Sequence, residues 1–234
     1  KDLIGIGSGA IYRSSDWRGV SPAGMLGLSF SEFCIFMGYY LSEGSVTRGV
    51  VNIAQKDGPK KDKMREDLFP MNLHVTDNKN GFRVNGNVEM ARYVEQFGKS
   101  FEKYVPAVIK NAARDDLLLF LDAFRLGDGS TRKPRAYKGG DFADERTYFT
   151  SSTKLADDLG EIILKVGKRP SFYLQKNKGK VVTHRNGTYI GNYDIWVIRE
   201  CTRKFANFPR IKASMIFYDD MAYCVELPRN HTLW

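Results

Sequence analysis

The sequence predicts an α+β protein built from two pseudo-symmetric units. Two apolar helices, each followed by an acidic residue and a glycine, are predicted over Phe33–Ser42 and Leu117–Leu126. A strand-like stretch follows each helix, and a further helical pattern follows each strand. An internal repeat of this kind within one chain implies pseudo-two-fold symmetry.

Local signals support each element in turn. Ser29 and Glu32 form a capping box before the first helix, and Gly44 is interpreted as a left-handed stop. The strand-like stretches are Val46–Gln55 and Thr147–Thr150. Further helices are predicted at 60–68 and 87–97 in the first unit. Ser152 caps a further helix in the second unit, which reaches residue 166 and is stopped by Gly167. The aromatic residues of the two repeated helices are interpreted as core: Tyr39, Tyr40, Phe120 and Phe124.

The composition favours a polyanionic partner. The chain has 234 residues, is 42% hydrophobic, and carries 36 Lys and Arg against 27 Asp and Glu, for a net charge of +9. Such an excess suits phosphate contacts, although ordinary solubility charge explains it equally well. No apolar run approaches a membrane span, and nothing at the N-terminus resembles a signal peptide. Three cysteines without paired spacing fit a reducing compartment, so we expect an intracellular protein that is not secreted.

The two repeated helices predict a pair of carboxylates. Small residues occupy matching positions, Gly38 with Ala123 and Ser42 with Gly127, which allows close helix packing. A symmetric pair would bring Glu43 and Asp128 side by side. Two neighbouring carboxylates repel each other unless a cation lies between them, and oxygen ligands favour a hard metal such as Mg²⁺.

The segments GYYLSEGS and FLDAFRLGDGS resemble the paired motifs of single-chain LAGLIDADG homing endonucleases, of the type associated with inteins. VNIAQKDG, EKYVPAVIKNA and TSSTKLADDLGEIILKVG resemble the segments that flank those motifs, so the resemblance covers roughly residues 29–218. Both repeats depart from the family at the position two before the acid, where Leu41 and Leu126 stand in place of a frequent second acid.

The resemblance implies two αββαββα lobes whose antiparallel sheets form a saddle over DNA. It implies a monomeric, metal-dependent endonuclease that breaks both strands of a long asymmetric duplex target. Glu43, Asp128, Lys103 and Gln55 would be catalytic, and Glu43, Asp128 and backbone carbonyls at Ser42 and Gly127 would bind Mg²⁺. Mn²⁺ is expected to substitute, and Ca²⁺ to support binding without efficient cleavage. No membrane partner is expected.

Basic and amide side chains on the strands and turns are the expected DNA contacts. They are Arg48, Asn52, Lys56, Lys79, Arg83, Arg132, Arg135, Lys138, Lys176, Lys178, Lys180 and Arg185.

The resemblance also implies the domain boundaries. Residues 1–28 are an N-terminal extension or linker, 29–112 the first lobe, 113–218 the second, and 219–234 a tail that resembles an intein splicing-domain strand. An excised endonuclease domain and a free-standing relative both fit. Two other functions on the same fold also remain open, a maturase-like RNA-binding splicing factor and a non-catalytic DNA-binding regulator.

Overall fold

A computed structural model describes residues 3–6, 10–13, 22–132, 136–137, 140–141, 145–184 and 187–201 of the chain. All structural statements below concern these residues. Three predicted DNA contacts lie outside them: Arg135, Lys138 and Arg185. The predicted C-terminal tail, residues 219–234, also lies outside them.

The first lobe follows the expected order of helices and strands. Its elements are α2 (Phe30–Glu43), β3 (Gly44–Thr47), β4 (Val50–Ala54), α3 (Pro59–Leu68), β5 (His74–Asn78), β6 (Gly81–Asn85) and α4 (Val88–Glu95). The short helix α5 (Ala107–Lys110) leads to the second lobe. The hairpin β1 (Leu3–Ile6) and β2 (Ala10–Arg13) and the helical turn α1 (Pro22–Met25) precede the lobe.

The second lobe repeats the αββαββ order within the described residues. Its elements are α6 (Arg114–Asp128), β7 (Gly129–Arg132), β10 (Glu145–Thr150), α7 (Thr153–Lys165), β11 (Arg169–Gln175) and β14 (Ile195–Cys201). Two small hairpins are inserted, β8 (Ala136–Tyr137) with β9 (Gly140–Asp141), and β12 (Val181–His184) with β13 (Gly187–Ile190).

Each lobe contains a four-stranded antiparallel sheet. The strand orders are β3-β4-β6-β5 and β11-β14-β10-β7, which are the same order when the second is read from β7. The predicted α+β class with two repeated units is therefore confirmed.

The starts of α2 and α7 follow the sequence signals, and so does the end of α7, where the predicted stop Gly167 has φ 80°; the ends of α2 and α6 do not. The capping box of Ser29 and Glu32 is present, and Ser152 caps α7 as predicted. The left-handed stop at Gly44 was wrong, because Gly44 has φ −84° and already belongs to β3. Gly129 is likewise extended, with φ −151°. Each acidic residue thus ends its helix, and the next residue begins a strand.

The predicted strand Val46–Gln55 is a hairpin of two strands. Arg48 and Gly49 form its two-residue turn with φ values of 53° and 73°. Two successive positive φ angles match the twist of an antiparallel pair. The turn lifts Arg48, whose side chain is exposed, to the tip of the hairpin.

Helices α2 and α6 form the centre of a continuous hydrophobic core. The four aromatic residues predicted as core are buried, and Cys34 is a buried free thiol. Ala23, Leu26 and Leu28 are also buried in this core, so the end of the predicted N-terminal extension packs with the first lobe. Within the described part of the chain, each helix is too short or too polar to span a bilayer.

Candidate active site and nucleic-acid surface

The site is built on close packing of α2 against α6. A Cβ placed on Gly38 would lie 2.7 Å from the Ala123 Cβ and 2.7 Å from the Phe120 carbonyl oxygen. Near the helix ends, a Cβ placed on Gly127 would collide with the Ser42 hydroxyl and lie 3.0 Å from the Glu43 Cγ. The absence of side chains at Gly38 and Gly127 is therefore what lets the helices approach.

This packing brings Glu43 and Asp128 together, as the repeat predicted. Glu43 lies against Gly127, the residue before Asp128, and both acids are half-buried. Burial, and secondarily repulsion from Glu43, raise the pKa of Asp128 to about 7, although Lys103 and Lys60 act to lower it. Burial also raises the pKa of Glu43, while Lys103 and Lys60 act to lower it. Without a cation between them, the two acids are thus an electrostatically unfavourable pair.

The Lys103 side chain hydrogen-bonds to backbone carbonyl groups at the C-terminal end of α2. It is 4% exposed, and its Nζ donates hydrogen bonds of 2.8 Å to the carbonyls of both Tyr40 and Gly44. Burial lowers the pKa of Lys103 to about 8, and Asp128 and Glu43 oppose that decrease. A cation at a helix C-terminus is favourable because the helix dipole is negative there.

The Lys60 side chain hydrogen-bonds to backbone carbonyl groups at the C-terminal end of the other helix, α6. Its Nζ lies 3.4 Å from the Gly127 carbonyl oxygen and 3.2 Å from that of Gly129. Lys60 begins α3 of the first lobe, so this contact crosses to the second lobe. Each acid-bearing helix therefore ends beside one lysine. These two cations partly offset the rise in the pKa of both acids.

The two carboxylates fit a hard divalent cation. Among the described residues, no group of three or more His, Cys, Asp or Glu side chains could hold a metal ion, and the acid pair supplies two carboxylates. Mg²⁺ commonly binds through one or two carboxylates and completes its coordination with water and phosphate oxygens. The unfavourable charge of the pair is what such an ion would neutralise.

The other predicted site residues occupy different surroundings. The Ser42 hydroxyl donates to the Gly38 and Tyr39 carbonyls, at 2.9 and 3.1 Å, and so turns back along its own helix. The Gly127 carbonyl faces Lys60. Gln55 is half-buried at the start of the α3 region, where its Nε2 lies 4.0 Å from the Met64 sulfur and its Oε1 accepts from the Lys56 N–H.

The predicted DNA contacts of the first lobe lie on one sheet and its turns. Asn52 and Arg83 are paired across β4 and β6, on the face opposite the buried Val51 and Phe82. Arg83 is exposed and Asn52 is half-buried. The remaining predicted contacts of this lobe are exposed in its turns: Arg48, Lys56 and Lys79.

In the second lobe, Lys176, Lys178 and Lys180 are exposed in the segment after β11. Lys176 lies 3.8 Å from Asp194, whose carboxylate also accepts the backbone N–H of Lys178. Arg132 ends β7.

Two residues of this region were missed as individual site residues. Neither Lys60 nor Arg199 was predicted as a site residue from the sequence. Arg199 lies on β14 beside a cavity of about 440 Å³ on the second sheet. Its position becomes visible only once the strand register is known.

Comparison with known proteins gives weak similarities. No family model matches the chain. A DNA-directed RNA polymerase subunit beta C-terminal section from Stigeoclonium helveticum is 31% identical over 92 residues, which is 36% of this chain and 8% of that protein. The chain therefore spans a small part of the length of this curated relative.

Among solved structures, the homing endonuclease I-DmoI in complex with DNA and Mn is 12% identical, with a TM-score of 0.42 over 74% of this chain and 90% of that chain. Mesophilic variants of I-DmoI are 11% identical, with a TM-score of 0.40 over 74% and 89%. Proteins this dissimilar can differ in function, so function is inferred from the residues of the site.

Proposed function

We propose that the protein is a site-specific DNA endonuclease of the LAGLIDADG homing type, which breaks both strands of a long asymmetric target. The observation that carries this proposal is the juxtaposition of Glu43 and Asp128 at the joined ends of α2 and α6, between two repeated sheets. Both acids belong to one chain, so we propose a monomer. We also propose that the protein acts inside the cell, since a DNA target of this kind lies there.

Glu43 and Asp128 would hold Mg²⁺, with backbone carbonyls at Ser42 and Gly127 as further ligands and Mn²⁺ as a substitute. The ion would supply an activated water, neutralisation of phosphate charge and stabilisation of the leaving oxygen. With two acids and two lobes, the site would cleave two phosphates, one on each DNA strand. Ca²⁺ would support binding without efficient cleavage.

Lys103 and Lys60 would hold positive charge beside the reacting phosphates. Lys103 is fixed by two hydrogen bonds and is buried, so it is positioned before substrate arrives. A preorganised charge of this kind stabilises charge that develops in a transition state. Gln55, near the start of α3, would orient solvent beside this group.

The exposed faces of the two sheets would contact the DNA on either side of the acids. The basic residues Arg48, Lys56, Lys79 and Arg83 supply positive charge on the first lobe, and Lys176, Lys178 and Lys180 supply it on the second. A surface that extends over both lobes explains how a monomer would read a long site without a palindrome.

Cleavage of a randomised duplex library in plasmids, with Mg²⁺, tests the proposal and identifies the target. We expect double-strand breaks at one sequence, and none with Glu43→Gln or Asp128→Asn, which should still bind that sequence in Ca²⁺. Glu89→Gln, at an exposed position on α4, is the matched control and should cut normally. Full cleavage by either active-site variant would disprove the assignment.

Specific duplex binding without cleavage by the unaltered protein would instead indicate the non-catalytic regulator. Binding to structured RNA in preference to duplex DNA would indicate the maturase-like function. Both outcomes contradict the proposed endonuclease.

A further inference from the structure

The strand registers of the two sheets superimpose residue by residue. Each sheet begins at the glycine after an acid, Gly44 or Gly129. One residue further along, a row of paired residues crosses all four strands in each lobe. The rows are Ser45, Asn52, Arg83 and Thr76 in the first lobe, and Ser130, Thr147, Arg199 and Ser171 in the second. Arg83 and Arg199 are therefore equivalent positions.

The row beside the arginines differs between the lobes. In the first lobe it consists of Ala54, Gly81 and Asn78, and in the second of Phe149, Val197 and Tyr173. The first row is small, with Asn78 as its one polar side chain, whereas the second is large and mostly apolar. We call these the small row and the apolar row.

Both rows lie on the sheet face away from the core. Side chains alternate along a strand, and the neighbouring residues Ile53, Phe82, Tyr148 and Ile198 are buried. In the second lobe the apolar row and Arg199 line the same cavity. Tyr173 is 62% exposed, so its ring is accessible to a ligand on this face.

The chemistry of this face suits the major groove of duplex DNA. Arginine makes paired hydrogen bonds to the N7 and O6 atoms of guanine, and apolar side chains contact the methyl group of thymine. A protein partner would satisfy the apolar row, but it would not explain an arginine at the same register position in both lobes or the net charge of +9.

We propose that Arg83 and Arg199 each read a guanine, at symmetry-related positions of the two half-sites, and that the apolar row reads thymine methyl groups in the second half-site alone. The proposal rests on the proposed DNA-binding function and extends it to base preference. The target would thus carry a guanine at the equivalent position of both half-sites. Preferred thymines beside that guanine would occur in the half-site of the second lobe only.

The first experiment uses the duplex selected from the library, with binding measured in Ca²⁺. Replacing thymine by deoxyuridine in one half-site at a time removes only methyl groups. We expect about fourfold weaker binding for each contacted methyl in the half-site of the second lobe, which is the effect of one buried methyl group. The same replacement in the other half-site should leave binding unchanged.

Protein variants test whether the apolar row causes the deoxyuridine effect. Phe149→Ala combined with Tyr173→Ser should bind the thymine and deoxyuridine duplexes equally. Val50→Ala, on the sheet of the first lobe, is the matched control and should keep the difference. Equal deoxyuridine effects in the two half-sites, or none in either, would overturn the apolar-row assignment.

The second experiment tests the arginines. Replacing guanine by 7-deazaguanine removes one of the two acceptors, so we expect weaker binding when the contacted guanine of either half-site is changed. Arg83→Ala should abolish the sensitivity in one half-site and Arg199→Ala in the other. If both variants keep the full sensitivity in both half-sites, the arginine assignment is wrong. Failure to bind any duplex would instead disprove the proposed function.

Discussion

Gly38 faces Ala123 across the central helix pair so closely that a Cβ at Gly38 would lie 2.7 Å from the Ala123 Cβ. The Phe120 carbonyl oxygen and the Phe124 nitrogen would also be within contact of that Cβ, at 2.7 and 2.9 Å. Backbone atoms cannot rotate away as a side chain can. The spacing of the helices, and with it the approach of Glu43 to Asp128, is therefore set by the lack of a side chain at residue 38.

Gly38→Ala should lower the free energy of unfolding by about 1–3 kcal/mol, because the added methyl overpacks the contact. Ala123→Gly combined with Gly38→Ala should recover part of this loss, since it removes one of the atoms in collision. Urea denaturation of both variants measures the effect. An unchanged midpoint for Gly38→Ala would show that the helices are not in close contact.

The stability of the metal-free protein should fall as the pH rises from about 4 to about 7. The pKa of Asp128 is about 7 in the folded protein, against an ordinary aspartate value of 3.8 in the unfolded chain, so in this range the folded state holds a proton that the unfolded state has lost. The free energy of unfolding then decreases with pH, by up to about 1.4 kcal/mol per pH unit for one group.

Asp128→Asn should flatten this profile, because the substituted group does not titrate. Denaturation in EDTA across the pH range measures it. Asp157→Asn, at an exposed acid on α7, is the control and should retain the slope of the unaltered protein. Parallel profiles for all three proteins would contradict the raised pKa of Asp128.

Lys60→Met should reduce cleavage at least about tenfold while changing the free energy of unfolding by less than about 1 kcal/mol. Lys60 is exposed, and its ammonium group contacts the end of α6 beside the acid pair, so its loss affects the site more than the fold. Lys63→Met, on the same helix and paired with Asp67, is the control and should cut normally. Equal rates for the two variants would remove Lys60 from the site.

DNA binding should weaken steeply with salt, because each lysine on a phosphate releases bound counterions. Lys178→Ala and Lys180→Ala should each reduce the slope of log K against log salt by roughly one. Lys165→Ala, on helix α7, should not change the slope, since α7 packs against the core face of the sheet. A binding constant that is insensitive to salt would argue against a DNA partner.

The sequence was sufficient to locate the two acid-bearing helices and their pairing. Capping residues and the repeated acid–glycine pattern are local signals, and the matching small residues at 38 and 123 indicated which helix faces meet. The hairpin turn at Arg48 was not visible, because the turn lacks the Asn or Asp that usually precedes glycine in such loops.

Contacts between distant segments could not be read from the sequence. Lys60 reaches a helix end 67 residues further along the chain, and no local pattern encodes that contact. The equivalence of Arg83 and Arg199 depends on strand register, which is set by the pairing of four strands. From the sequence, Arg83 was one of many predicted DNA contacts, and Arg199 was not predicted.

The direct passage from helix to strand after Glu43 and Asp128 constrains how such a gene can evolve. An inserted or deleted codon at either junction would shift the strand by one residue and exchange its inward and outward side chains. Point mutations on the exposed strand faces carry no such penalty. Lineages could therefore drift to new target sequences by substitution, while the length of these two junctions stays fixed.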